Sequence, residues 1–203
     1  MNGERTLDVS ALPVGTADSR ALLWWGNLSM MLIEGTMFVM LIAAYLYYRT
    51  ANLDWPPTTV PNPDINLATT NLVILLISGL TALVADRAAL RDSVTGIRIG
   101  LGLSLLLMIA FMVIRVLAVS TLGYKWSDHA YGSICWTMIG MHQFHVFTAT
   151  CEGGLLFLYT FLRPITKKQL LDVRATAVYW YFVVLIWIPF YFIVYVMPFY
   201  SRR

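Results

Sequence analysis

The chain alternates long apolar stretches with short polar ones, and the apolar stretches are the length of a membrane. Five stand out, at about Ala21–Tyr48, Leu67–Ala85, Gly96–Ser120, Tyr131–Leu162 and Thr176–Tyr200. A hydrocarbon core needs ~20 consecutive residues of α-helix. Lipid offers backbone N–H and C=O groups no partners, so helix is the default conformation for such segments. The pattern predicts an all-α membrane protein, a bundle of five transmembrane helices. It shows no internal repeat and no low-complexity tract, so residues 1–203 read as one domain with a polar tail over 1–20.

The connections carry residues that end helices. Residues 52–66 hold four prolines and cannot be helical throughout. Pro164 follows the fourth segment, and Pro189 sits inside the fifth, where a kink is expected. The polar N-terminus lacks a basic start followed by a short apolar core, so no cleavable signal is expected.

Charge sets the orientation. Arg5, Arg20, Arg87, Arg91, Arg98, Arg163, Lys167, Lys168 and Arg174 fall on one side of a five-span topology. Arg49, Lys125, Arg202 and Arg203 fall on the other. The positive-inside bias of nine against four predicts a cytoplasmic N-terminus and an outer C-terminus. Trp24, Trp25, Tyr47, Tyr48, Trp55, Tyr179 and Trp180 fall where membrane–water interfaces are expected.

Composition agrees with the pattern: 59% of the 203 residues are hydrophobic and 12% are charged. Soluble domains carry about 25% charge, so a soluble enzyme is excluded. A net charge of +3 gives no reason to expect nucleic acid. The two cysteines, Cys135 and Cys151, are 16 residues apart on one helix. That is about 24 Å at helical rise, beyond disulfide reach, so they read as small packing residues.

Five ionisable side chains lie within the apolar stretches: Glu34, Arg115, His142, His145 and Glu152. Such residues are costly in lipid and are functional candidates by default. Glu34 reaches the midplane, where a lone carboxyl is either protonated or paired, because desolvation disfavours its charged form. His142 and His145 are three apart and share a helix face, and Glu152 continues that stripe. Glu34 and His142 come out at similar depth, so a polar seam with internal pairing is expected. Arg115, near the outer end of its helix, is expected to snorkel to the interface. Haem is not expected, since bis-histidine ligation needs histidines from facing helices and the third, His129, is in or beside a loop. A metal site from His142, His145 and Glu34 has suitable atoms, but hydrogen-bonding histidines between helices are the commoner case. Ala149 and Gly153 form a small-xxx-small pair on the fourth helix. Gly140 and Gly154, with Asn71, Ser78, Gly79 and Thr81 on the second helix, also read as packing features.

Four stretches resemble subunit III of the haem–copper terminal oxidases. Ile-Glu-Gly-Thr-Met-Phe at 33–38 is similar to the family's Ser-Glu-x-x-x-Phe helix. Trp-Pro-Pro-Thr at 55–58 and Asn-Leu-Val-Ile-Leu-Leu-Ile-Ser-Gly at 71–79 resemble its Trp-Pro-Pro loop and Asn-Thr-x-x-Leu-Leu-x-Ser helix. Ser-Asp-His-Ala-Tyr-Gly-Ser at 127–133, leading to His142-Gln-Phe-His145-Val, resembles its Tyr-Gly-Ser…Gly-x-His-x-x-His-Val. Tyr179-Trp180-Tyr181-Phe182-Val183, with Trp187, resembles its final Trp-His-Phe-Val-Asp helix. Order and spacing agree from about residue 21 to 200.

The resemblance implies the five-helix form of cytochrome c oxidase subunit III, a non-catalytic subunit with no cofactor of its own. Haem and copper would sit in partner subunits. Subunit I would be the direct partner, with subunit II and others in the complex, in a bacterial plasma membrane. Bound phospholipid and support of proton uptake are implied too. By motif, Glu34 is the family's intramembrane carboxyl, and His142 and His145 its paired histidines. Tyr181 and Val184 stand where the family usually has His and Asp, Ala118 where it has an acid, and Glu152 where it is apolar. These departures leave room for a quinol oxidase or a nitric oxide reductase as the complex served, or for a scaffold joining an oxidase to another respiratory complex. A stand-alone proton-coupled transporter is the rival from another class, although neither internal repeats nor helices broken near the midplane are evident, Pro189 apart.

Overall fold

A computed structural model describes residues 22–201. Their secondary structure is helical: α1 Leu22–Ala51, α2 Ile65–Leu90, α3 Val94–Ser120, α4 Ala130–Leu162 and α5 Lys167–Tyr191. A five-residue π-helical turn, Phe192–Val196, joins α5 to the short α6, Met197–Ser201. The polar tail at 1–20, with Arg5 and Arg20, and Arg202 and Arg203 at the other end lie outside the described residues.

Four helices are long and apolar enough to cross a membrane: α1, α2, α3 and the continuous run Lys167–Tyr200. The fifth long helix, α4, has 33 residues but carries His142, Gln143, His145 and Glu152 and is not among those four.

Helix starts follow local chemistry. The Asp64 carboxylate accepts from the Asn66 and Leu67 amides at 3.0 and 3.2 Å, satisfying two of the free donors of α2. Ser93 caps α3 through Gly96, and the His129 ring accepts from the Gly132 amide at 2.8 Å to start α4. α5 begins nine residues before the expected Thr176. A capping box between Thr166 and Gln169 starts it after Pro164. Its first turns are polar outside but bury Leu171 and Val173, which is why composition alone placed them in a loop.

α2 and α3 form a tight antiparallel hairpin, turned at Asp92 with φ 54°. Small residues line the crossing. A Cβ at Gly100 would lie 2.5 Å from the Ala85 backbone nitrogen, and one at Gly96 2.7 Å from the Ala88 methyl. The close approach is the packing device expected where lipid removes the hydrophobic drive between helices. α5 packs against α1, α2 and α4, and it is the most enclosed of the long spans. α1 is an edge helix on α4 and α5, burying only Phe38 and Tyr45. Outer faces carry large apolar residues, such as Leu106, Ile109, Val113 and Val116 on α3.

The expected aromatic belts are only partly on the surface. Trp25 and Tyr47 are exposed, but Trp55, Tyr179 and Trp180 are core residues. The Trp180 indole donates to Ser78 Oγ at 3.3 Å, and Trp55 stacks on Tyr48 and meets Tyr45 and Tyr131 edge-on. Cys135 is buried and Cys151 exposed, both as free thiols.

Candidate functional site: a polar seam facing the last helix

The intramembrane polar residues gather where α1, α3 and α4 meet α5. Glu34 on α1 faces His145 on α4, with Oε1 3.7 Å from Nε2. His145 Nδ1 donates to the Met141 carbonyl at 2.6 Å, which fixes the tautomer and leaves Nε2 a lone pair directed at the carboxyl. Glu34 Oε2 is buried without a partner. Glu34 therefore pairs with His145 and not with His142, the residue of matching depth.

His142 turns toward α5 and is buried. Its Nε2 donates to the Val183 carbonyl at 3.0 Å, and its ring packs 4.6 Å from the Trp187 ring. With the proton on Nε2, Nδ1 is an acceptor, and it is buried without a partner. Among the described residues no group of three His, Cys, Asp or Glu could hold a metal ion.

Arg115 corrects the sequence reading. Its side chain does not snorkel; it is 2% exposed and points into the bundle. The guanidinium stacks 3.5 Å from the Trp187 ring centroid and 4.7 Å from that of Phe111. Two aromatic faces and a fixed amide replace the water that an interface would supply. Asn71 on α2 donates from its amide nitrogen to the Phe111 carbonyl at 3.1 Å and accepts from Arg115 Nε at 3.0 Å with its amide oxygen. The Tyr195 phenol lies alongside the guanidinium. Among the described residues no carboxylate pairs with this charge, which is held by rings and polar neutral groups.

Glu152 is more exposed than the histidines and belongs to a different environment. It accepts from the Thr176 hydroxyl at 2.8 Å and lines a cavity of about 580 Å³ between α1, α4 and α5. Leu23, Asn27, Tyr159 and Asp172 line the same cavity. Tyr179 is buried on α5 beside these groups, and its phenol interacts electrostatically with Glu34 and Glu152. Tyr179, expected at an interface, and Asn71, Trp187 and Tyr195 are members that sequence reasoning did not assign to the seam. For Tyr179 a signal exists: it is one turn from Thr176 on the same face of α5.

The model of the family described as cytochrome c oxidase subunit III matches residues 14–199. The chain belongs to the cytochrome c oxidase subunit III family. It is 29% identical over 177 residues to cytochrome c oxidase subunit 3 of Thermostichus vulcanus, covering 85% of this chain and 86% of that protein. It is 27% identical over 173 residues to the Bacillus subtilis subunit 3, covering 81% of each. Against the Schizophyllum commune subunit 3 it is 29% identical over 147 residues, which is 70% of this chain but 53% of the relative. The chain thus spans about half of that fungal subunit III and most of the two bacterial ones.

Within this subunit III chain, the positions that depart from the family pattern are packed differently from the seam. Val184 fills the space beside Gly79, with Cγ2 3.5 Å from where a Cβ would stand. Ala118 is buried, and the Tyr181 hydroxyl is buried without a partner.

Proposed function

We propose that this chain is a non-catalytic subunit of a respiratory haem–copper terminal oxidase, which reduces oxygen to water with electrons from cytochrome c and translocates protons. The family match over residues 14–199 is the observation that carries this reading. α4 is the fifth span, with His142 and His145 buried in the bundle. The N-terminus is cytoplasmic and the C-terminus outside, in a bacterial plasma membrane. The bundle packs directly on the catalytic subunit I, within a complex that includes subunit II. Haem and copper reside in those partners, and phospholipid covers the remaining apolar faces. The inward commitment of Arg115 and His142 supports a rigid supporting role. Their polar atoms face Trp187 and Val183 of the same chain, and large apolar residues face outward.

The test is affinity extraction of the chain in mild detergent, followed by a haem spectrum and a subunit list. A haem-bearing copper oxidase subunit in stoichiometric yield is the expected result. Recovery of the chain alone, stable and without haem, would overturn the proposal. Support of proton uptake is read in the same preparation, as oxidase turnover and proton release that decline when the chain is removed.

A further inference from the structure

Glu152 lines the cavity of about 580 Å³ between α1, α4 and α5, and it is exposed. One carboxylate oxygen, Oε1, accepts from the Thr176 hydroxyl at 2.8 Å. Among the described residues no ion pair involves Glu152. The cavity lining holds a second carboxyl, Asp172, and no Lys, Arg or His. Asp172 has Lys168 beside it, one turn earlier on α5.

The walls around Glu152 are largely apolar. Leu23 and Met30 of α1 and Leu155 of α4 line the cavity and are exposed. Gly26 widens the α1 wall, since nothing lies within 4 Å of a Cβ there. The cavity lies at the end of the bundle where α1 begins, α4 ends and α5 begins. In the five-span reading this is the cytoplasmic end. Glu152 is ten residues before the end of α4 at Leu162, about 15 Å along the helix axis. A carboxylate that far into an apolar stretch is costly unless a polar or charged group meets it.

We infer that this cavity receives the side chain of a lysine from a membrane helix of a partner subunit, with its ammonium on the free oxygen of Glu152. The lining calls for a cation, because it carries two carboxylates and no base. A single-point donor suits Glu152 better than a fork. Thr176 already occupies Oε1, whereas a guanidinium binds both carboxylate oxygens at once. An ammonium on a flexible apolar stem matches apolar walls that end at a carboxylate. Membrane helices carry an excess of Lys and Arg at their cytoplasmic ends, so a neighbouring helix presents such a side chain at this level. A phospholipid headgroup would instead set its phosphate against Glu152 and Asp172. The residues before Leu22 carry Glu4, Asp8 and Asp18 against Arg5 and Arg20, so they bring no excess of positive charge. The inference rests on the subunit reading, and it adds which face of this chain meets a partner and which group that face takes.

Carbodiimide treatment of the complete complex in mild detergent, followed by tryptic mass spectrometry, tests it. The reagent joins a carboxylate to an amine in contact with it, with loss of water. The expected product is the Glu152 peptide joined by an amide bond to a lysine peptide of another subunit, and it is absent in Glu152→Gln. That variant is also expected to release the joined subunit about tenfold faster or more on dilution into detergent. Glutamine can still accept from Thr176, so the bond within the chain is kept. A Glu152 adduct with an ethanolamine lipid, with an amine of this same chain or with the reagent alone overturns the inference. If the reagent leaves Glu152 unmodified, the release rates decide: release of every partner subunit from Glu152→Gln at the parent rate overturns it. The haem spectrum and subunit list of untreated samples report separately on the subunit reading. An intact haem-bearing complex without the expected adduct counts against this site alone, and a chain recovered without partners counts against the subunit reading.

Discussion

Substituting Gly100 by alanine tests the closest contact in the bundle. The added methyl would lie 2.5 Å from the Ala85 nitrogen and 2.8 Å from both its Cα and Cβ. Ordinary carbon contacts sit at about 3.5–4.0 Å. α3 must therefore move away from α2 by about 1 Å at this level. Two of the three obstructing atoms are backbone, so no side chain can swing aside. One turn further along α3, Ser104 bonds the Thr81 hydroxyl at 2.8 Å and the Ser78 carbonyl at 3.3 Å, and a shift of that size lengthens both. Overpacking of this kind costs about 1–3 kcal/mol. Alanine recovers about 0.5–1 kcal/mol over glycine in a helix, so a net loss of up to about 2.5 kcal/mol is expected. Gly140→Ala is the control, since nothing lies within 4 Å of a Cβ there and only the helical gain remains. Denaturant unfolding of the detergent-solubilised chain, read by far-ultraviolet circular dichroism, should order the variants Gly140→Ala, parent, Gly100→Ala from most to least stable. A Gly100→Ala midpoint equal to or above that of Gly140→Ala would refute the close-packing account.

The same unfolding assay reads three other sites. Asn71→Leu strips Arg115 of its Nε acceptor and is expected to cost about 2–4 kcal/mol. Adding Arg115→Met should restore most of that, because the unpaired charge is gone; a double variant as weak as the single would show that Asn71 matters for some other contact. Glu34→Ala should be less stable than Glu34→Gln by about 1–2 kcal/mol, since an amide still donates to His145 Nε2 and a methyl leaves it bare. Equal unfolding midpoints would count against the Glu34–His145 pairing. Asp64→Ala removes the acceptor for two amides at the start of α2 and should lower stability by about 1 kcal/mol, with Asp64→Asn close to the parent.

The five long helices were legible because their ends depend on neighbours in sequence. Proline, glycine and capping residues act within a turn, and the structure places the first four helix starts within two residues of those expected. The start of α5 was the exception. Its signal, Thr166 three residues before Gln169, is also local, but the polar residues between Arg163 and Arg174 hid it. The seam was legible in membership and not in pairing. Depth along a helix follows from residue number, and on depth Glu34 matched His142. Which neighbour a side chain meets depends on rotation about the helix axis, and that turned His145 to Glu34 and His142 to α5. Arg115 was misread for a related reason. Its helix position allows snorkelling, and only residues far away in sequence, Asn71, Trp187 and Tyr195, make the interior the better place for it. The aromatics were ambiguous in kind, because a tryptophan near a helix end suits either a belt or a core until its indole finds a partner such as Ser78.

Two of the four departures from the resemblance, Tyr181 and Val184, fall on one helix, while Ala118 is on α3 and Glu152 on α4. Glu34, His142 and His145 lie where α1 and α4 face α5. Tyr181 and Val184 lie on α5 itself, and Val184 faces α2 through Gly79. Val184 is apolar and the Tyr181 hydroxyl is without a partner, so neither supplies a polar contact across the α2–α5 crossing. Others do, at three levels of the crossing: Arg174 with Asp86 at 3.3 Å, Trp180 with Ser78 at 3.3 Å, and Thr69 with Tyr191 at 2.6 Å. Between helices in lipid such bonds fix rotation and register, since apolar contact alone is nearly indifferent to both. These three bonds hold α2 to α5 on the side of α5 away from the Glu34–His145 pair of α1 and α4. Val184→Asp should disturb the α2 contact first, because it would place a carboxyl against the bare backbone of Gly79.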